Sequence, residues 1–243
     1  SAVVWAWGWK DEWAEKVIPL LTEGQILQCT SEEAMQFQIG GVKGSVLDYT
    51  MSLCGPGDKA KNLWRAARKQ KMPLSAKVQI NNTWEMAVVP YIPVLEKVAG
   101  HIENLKAQGI ENLQMSWTLG GCPSPNLHLA AWLMEDKGDL LAFLTDWLGE
   151  TVAKGVYEAQ FMLSEAFSHY PFYLDTLYFG PQNFGPMAPF FLKPTGYEAS
   201  MVGYPYDDVQ KWAGIYPVSV YEEEYRQLIT LWKKGLCELS RYQ

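Results

Sequence analysis

The chain has 243 residues, enough for one large domain or two smaller ones with a substantial buried core. Its formal net charge of −7 argues against a nucleic-acid partner, because no extended basic patch is available to neutralise phosphates. No apolar run reaches the length of a membrane span. The chain enters a predicted strand directly after Ser1, so any targeting segment is expected outside this sequence and the compartment stays open.

Aromatic residues are unusually frequent, with eleven Trp and thirteen Tyr. Such side chains either fill a core or provide flat apolar faces for ring-shaped ligands such as pyranose sugars. The four cysteines have no CxxC or Cys/His spacing, so the sequence predicts no metal site. No glycine-rich phosphate loop or dinucleotide motif is visible, and no cofactor is predicted.

Strand-like and helix-like segments alternate through the first half of the chain. Strands are predicted at residues 2–9, 26–32, 46–52, 77–85 and 113–118. Helices are predicted at residues 11–21, 58–71 and 91–108. This alternation favours parallel strands joined by crossover helices. For residues 77–85 alone, an edge strand running into an Asn-rich turn is the alternative.

Four of the predicted strands carry polar residues at every second position. The sets are Gln28/Thr30/Glu32, Asp48/Thr50/Ser52, Lys77/Gln79/Asn81 and Gln114/Ser116/Thr118. In an open doubly wound sheet helices cover both faces and the strands are apolar throughout, whereas a barrel has helices outside and can have a polar interior. The pattern therefore predicts an α/β fold of the (β/α) TIM-type barrel. A complete barrel has eight strands, so the five predicted here form a partial barrel, with further strands expected upstream of Ser1 or in another chain.

The second half of the chain has a different character. Helical periodicity is found at residues 126–134, 139–148, 151–169 and 220–239. A long segment, 171–219, is rich in Pro, Gly, Tyr and Phe, and such loops are often functional. We therefore expect residues 1–122 to form the C-terminal part of a barrel and residues 123–243 a helical extension that carries this loop.

In such a barrel the site lies at the carboxyl ends of the strands. The candidate catalytic carboxylates there are Glu32, Glu85 and Asp48. The candidate substrate-binding residues are Trp7, Trp9, Asn81, Asn82, Trp84 and Trp117. Paired carboxylates beside aromatic platforms suit glycoside hydrolysis, because one carboxyl protonates the leaving oxygen while the other acts as base, nucleophile or electrostatic stabiliser.

Two of these carboxylates also have structural alternatives. Glu32 could form an ion pair with Lys77 inside the barrel, and Glu85 could cap the helix that begins near residue 91. The three histidines, His101, His128 and His169, fall in predicted helices or at their ends. Neither a Ser-His-Asp triad nor a His-ligated metal is therefore expected.

Several segments resemble a group of large, poorly characterised bacterial proteins. They are Trp-Ala-Trp-Gly-Trp (5–9), Thr-Ser-Glu (30–32), Lys-Val-Gln-Ile-Asn-Asn-Thr-Trp-Glu (77–85), Ser-Trp-Thr-Leu-Gly-Gly-x-Pro-Ser-Pro-Asn (116–126) and Gly-Tyr-Pro-Tyr-Asp-Asp (203–208). Those proteins are similar to glycoside hydrolases, particularly the hexosaminidase-like barrels of family 20. The resemblance implies a barrel that acts on a glycan. The similarity to family 20 points to glycans that contain N-acetylhexosamine. In family 20 an Asp-Glu pair follows the fourth strand; no Gly-Asp-Glu occurs here, so the resemblance places that pair upstream of Ser1.

Three hypotheses follow from these observations. The first is a bacterial glycoside hydrolase whose partner is carbohydrate, with this fragment alone expected to be inactive if the catalytic pair lies upstream. The second is a non-catalytic carbohydrate-binding module on a degenerate barrel, in which the carboxylates orient sugar hydroxyls. The third is a structural domain whose polar interior satisfies itself.

Overall fold

The computed structural model of the protein describes residues 2–22, 24–86, 89–116, 121–173, 193, 196 and 209–242. The strands it describes are β1 (Val3–Trp5), β2 (Ile26–Thr30), β3 (Gln36–Ile39), β4 (Val42–Ser45), β5 (Leu74–Val78) and β6 (Asn112–Met115). Four of them form one parallel sheet in the order β1-β2-β5-β6, which is also their order in the chain. The fold is therefore mixed α/β with a parallel sheet. The described strands do not close into a barrel.

The strand register gives this sheet one polar and one apolar face. Thr30 is paired with Lys77 and Lys77 with Gln114, so these three residues share a face, as the alternation predicted. The other face consists of apolar residues, which belong to the same core as buried residues of the neighbouring helices. On β2 and β5 they are Leu27, Cys29, Leu74, Ala76 and Val78. Helices can thus cover one side of the sheet while polar groups collect on the other.

The helices that alternate with these strands are α1 (Asp11–Val17), α2 (Asp58–Lys69) and α3 (Leu95–Ala107). In α2 the buried residues are Ala60, Leu63, Trp64 and Ala67, the spacing of one apolar stripe. The indole of Trp64 also donates a hydrogen bond of 3.1 Å to the carbonyl of Ser75, which attaches α2 to β5. All three helices lie where the sequence predicted them.

The second half of the described chain is helical, as predicted. Its helices are α4 (Pro125–Met134), α5 (Leu140–Leu148), α6 (Glu150–Ser168), the single turn α7 (Val209–Trp212) and α8 (Val218–Leu239). The side chain of Ser124 caps α4 by accepting a hydrogen bond from the amide of Leu127, and Asp139 caps α5 in the same way. Residues 174–192, 194–195 and 197–208 of the predicted long loop lie outside the described residues.

The strand predicted at residues 46–52 is wrong. Residues 46–52 follow the antiparallel hairpin β3–β4, which turns at Gly40 and Gly41, and they form a segment without strand pairing that is buried except at Leu47. The reason is visible at Met51 and Ser52, whose backbone amides donate to the carboxylate of Glu85 rather than to a neighbouring strand. The polar residues Thr50 and Ser52 alternate in this segment because both bind the Glu85 carboxylate, and not because the segment pairs with another strand. The described parallel sheet consequently has four strands in place of the predicted five.

Gly235 of α8 faces α6 at close range. A Cβ atom at this position would lie 2.8 Å from Cδ2 of Leu163 and 3.3 Å from the backbone oxygen of Ala159. We expect Gly235→Leu to lower the free energy of unfolding by about 1–3 kcal/mol, because the packed helices must separate to admit the side chain. Urea denaturation measures the change, with Lys234→Leu on the exposed side as control. Equal stability of the two variants would contradict this packing.

Candidate functional site

Polar side chains collect where β2 and β5 end, together with the segment 46–52. All of the predicted carboxylates in this region are buried. The chain therefore brings acidic groups from three separate stretches of sequence into one partly enclosed region. Each of them has a different set of partners, and these partners determine what each can do.

Glu85 is fully buried and fully hydrogen-bonded. Its Oε1 accepts from Oγ1 of Thr50 at 2.6 Å and from both the amide, at 3.2 Å, and the hydroxyl, at 2.5 Å, of Ser52. Its Oε2 accepts from the amide of Met51 at 2.6 Å and from Oγ1 of Thr83 at 2.6 Å. The carboxylate thus fastens segment 46–52 to the end of β5. The expected helix near residue 91 receives no cap from it, since α3 begins at Leu95 with no side-chain cap.

Glu32 lies beside His101, a helical residue that is not among those predicted for the site. Its Oε1 is 2.9 Å from Nε2 of His101, and the same nitrogen is 2.8 Å from Oγ of Ser31. The predicted alternative, an ion pair with Lys77, does not form, because the Lys77 ammonium contacts the carbonyl of Ser116. Ser31 and Glu32 both approach Nε2, whereas a catalytic triad requires the two groups on opposite ring nitrogens. The cluster therefore does not have the geometry of a triad.

His101 could have been found from the periodicity of α3. Val98, His101, Ile102 and Leu105 are buried and follow the spacing of one helical stripe. A titratable residue inside an otherwise apolar stripe is an expected partner for a buried polar group. The sequence therefore shows that His101 is buried in this stripe. It does not show that the carboxylate beside His101 is that of Glu32.

Glu33 links three parts of the chain. Its Oε1 accepts a hydrogen bond of 2.6 Å from the ammonium of Lys59, at the start of α2, and one of 3.1 Å from the amide of Gly8, just after β1. Both partners donate a proton to the same oxygen, so Glu33 holds α2 and the turn after β1 against the end of β2. Glu33 is not among the residues predicted for the site, and the structure gives it this linking role.

Asp48 is 7% exposed, and its Oδ1 accepts a hydrogen bond of 2.7 Å from the amide of Tyr49. Burial raises its pKa from 3.8 to about 6, and the nearby charges of Glu32 and Glu33 act in the same direction, against the amide of Tyr49. Asp48 can therefore hold a proton at a pH where an exposed aspartate has lost it. This is the property of a general acid.

The predicted tryptophans are placed differently from one another. Trp7 is 48% exposed and stacks on Trp5, with ring centroids 5.5 Å apart. The indole of Trp5 donates to Oγ1 of Thr30 at 3.1 Å, which fixes the pair against β2. Trp9 is partly buried against the core, because β1 ends at Trp5 and the chain then turns through Gly8. Trp117 lies outside the described residues, and only the backbone of Trp84 is described.

The predicted amides bind groups of the chain itself. Nδ2 of Asn81 donates to the carbonyl of Cys122 at 2.7 Å, and its Oδ1 accepts from the hydroxyl of Ser124. Nδ2 of Asn82 donates to the carbonyl of Val89 at 2.6 Å. Both residues therefore connect the end of β5 to the loops that follow it. Their predicted contact with a sugar stays a prediction.

Within the described ranges, no three His, Cys, Asp or Glu side chains are grouped so that they could hold a metal ion. No described helix has the length and apolarity needed to cross a membrane. An apolar cavity of about 440 Å³ lies between the loop before α3 and helices α6 and α8. Comparison of the chain with protein-family models, curated proteins and solved structures found no match.

Proposed function

We propose that the protein is a carbohydrate-active domain of the glycoside hydrolase type, with Asp48 as the proton donor. The observation that carries this proposal is the raised pKa of Asp48, about 6, beside two other carboxylates. A glycosidase needs one carboxyl whose pKa is raised, so that it can donate a proton, and a second carboxylate beside it. Glu33, whose Oε1 is 2.6 Å from the ammonium of Lys59, is the second carboxylate in this proposal.

An aromatic platform lies in the same neighbourhood. The amide of Gly8 binds Glu33, and the residue before it is the exposed Trp7. A flat, exposed indole offers the apolar face of a pyranose ring a surface to stack on. The platform and the acidic groups are therefore linked through one short turn after β1. This arrangement supports a sugar as the ligand of the site.

We also propose that the sheet is part of a (β/α) barrel. Parallel strands that lie side by side in chain order, with helices on one face and polar groups on the other, are typical of barrels. Doubly wound sheets instead reverse the strand order near their first strand. In a barrel the remaining strands would pair with the outer edges of β1 and β6, whether supplied by the same protein or by another chain. The choice of an N-acetylhexosamine-containing glycan is supported by the sequence resemblance alone.

A non-catalytic carbohydrate-binding module is the second candidate. The contacts of Glu85, Asn81 and Asn82 favour it, because the groups expected to act on a sugar already bind the chain. Such a domain would keep Trp7 as its binding platform and use its carboxylates to order loops. The two functions differ in turnover and share the binding surface.

Replacing Trp7 by Ala is expected to weaken sugar binding about tenfold, because the stacking face is lost. Calorimetric titration with a panel of glycosides measures the effect. Trp147→Ala is the matched control. That indole is also exposed, at 46%, but it lies on α5, about a hundred residues further along the sequence than Glu33 and Asp48. Equal binding of the sugar by both variants would show that Trp7 does not stack on the sugar.

The same panel, as aryl glycosides, separates the two candidate functions. Release of the aryl group by the wild type supports the hydrolase, and binding without release supports the module. Absence of both binding and release for every glycoside would sink the proposal of a carbohydrate-active domain.

A further inference from the structure

Lys77 occupies the centre of the polar face of the sheet. It is 2% exposed and lies in register between Thr30 on β2 and Gln114 on β6. Its ammonium donates to the backbone carbonyl of Ser116, and among the described residues no carboxylate lies within 4 Å of it. A buried lysine without a counter-ion is uncommon, because charged groups are rarely buried unless they are paired.

The carboxylates of the site lie beside other groups than Lys77. Glu33 is paired with Lys59, Glu32 lies beside His101, and Glu85 is surrounded by five hydrogen-bond donors. None of them, and not Asp48 either, forms an ion pair with Lys77 among the described residues. The burial of the ammonium also lowers its pKa, which is the electrostatic cost of a charge held without a partner.

Two further polar atoms around Lys77 have unused hydrogen-bonding capacity. Within the described part of the chain, Oγ of Ser116 and Oε1 of Gln79 are buried without a hydrogen bond. An ammonium has three donor protons, and that of Lys77 uses one on the Ser116 carbonyl. Buried polar groups are nearly always satisfied, so unused groups on one face indicate a ligand that completes them.

The surrounding face is ordered and open on one side. Nε2 of Gln28 donates to Oε1 of Gln114 at 2.7 Å, and Oγ of Ser75 donates to Oε1 of Gln28 at 3.2 Å. Gln114 is itself exposed, so the polar face reaches solvent at β6, next to Lys77. A ligand group entering from this side would meet a donor cation on the same face as this hydrogen-bonded amide network.

We infer that Lys77 binds a carboxylate carried by the glycan, so that the substrate class is an acidic sugar of the uronic acid type. This inference rests on the proposed function. A carboxylate accepts the spare donor protons of the ammonium and supplies the missing counter-charge. The hydroxyl of Ser116 can donate to a second carboxylate oxygen, and Oε1 of Gln79 can accept from a neighbouring sugar hydroxyl.

Matched pairs of neutral and acidic sugars test the inference. Methyl glucoside is compared with methyl glucuronide, and methyl galactoside with methyl galacturonide, by calorimetric titration of the wild type, Lys77→Met and Lys77→Arg. We expect at least one acidic sugar to bind the wild type about tenfold or more tightly than its neutral partner, the size expected for a charged hydrogen bond. Lys77→Met should abolish the preference and Lys77→Arg should keep part of it.

Thermal unfolding of the three proteins shows that the variants fold, and Lys77→Met should be at least as stable as the wild type because an unpaired buried charge is removed. Equal binding of both sugars of a pair by the wild type, or an unchanged preference in Lys77→Met, overturns the inference and leaves the proposed function standing. Failure of all four sugars to bind counts against the proposed function and against the inference with it.

Discussion

Glu85→Gln is expected to lower the free energy of unfolding by about 2–4 kcal/mol, because the substitution leaves a buried backbone donor without an acceptor. Each carboxylate oxygen accepts at least one backbone amide, that of Ser52 on Oε1 and that of Met51 on Oε2. Whichever oxygen becomes the NH₂ group, one of these amides then faces another donor. Hydroxyls such as that of Thr50 can rotate to adapt, but a backbone amide cannot. Urea denaturation with Glu85→Gln measures the loss.

Glu103→Gln is the matched control, since Glu103 is exposed on α3 and should change stability by less than about 0.5 kcal/mol. The same variants separate a structural role of Glu85 from a catalytic one. If Glu85→Gln unfolds like the wild type but loses turnover, Glu85 is the proton donor and the structural interpretation fails. If it is destabilised and also loses sugar binding, the loss follows from the release of segment 46–52.

The local features of the fold were predictable because each depends on neighbours in sequence. The spacing of apolar residues from Ala60 to Ala67 predicts helix α2. The alternation of polar and apolar residues around Gln28 and Thr30 predicts strand β2 with one polar and one apolar face. These patterns reflect burial, which the sequence records directly. The parallel arrangement also followed, because strand–helix–strand connections leave few other topologies.

The segment 46–52 shows why other features could not be predicted. Its polar residues alternate as in a strand, yet Thr50 and Ser52 point to a carboxylate that lies more than thirty residues further along the chain. Periodicity shows that alternate side chains meet a polar surface, but it does not distinguish an adjacent strand from a buried anion. The pairing of Glu32 with His101 has the same character, because only the packing of α3 against the sheet brings the two residues together. The sequence therefore predicts the region in which Glu32 and Glu85 lie. It does not predict their roles, because these depend on contacts with residues that are distant in the sequence.

Asp48→Asn is expected to remove a pH dependence from the stability of the protein. The folded-state pKa of Asp48 is raised from 3.8 to about 6, so between these pH values the folded state binds more protons than the unfolded state. Stability therefore falls as the pH rises through this window, and the full penalty is present above about pH 6. At about 1.4 kcal/mol per pKa unit, the penalty is of order 1–3 kcal/mol. The Asn variant should exceed the wild type by this amount at pH 7 and match it near pH 4.

The substitution preserves the hydrogen bond from the amide of Tyr49, because Oδ1 of asparagine is also an acceptor. Exposed Asp146→Asn serves as control and should follow the wild type at every pH. A stability difference between Asp48→Asn and the wild type that is the same at pH 4 and pH 7 would contradict the raised pKa. If Asp48 is the proton donor, the variant should also hydrolyse aryl glycosides about 100- to 10,000-fold more slowly, and wild-type turnover should decline as the pH rises above about 6. Unchanged turnover in Asp48→Asn, together with the expected change in stability, would leave Asp48 as a buried acid without a catalytic role and favour the binding module.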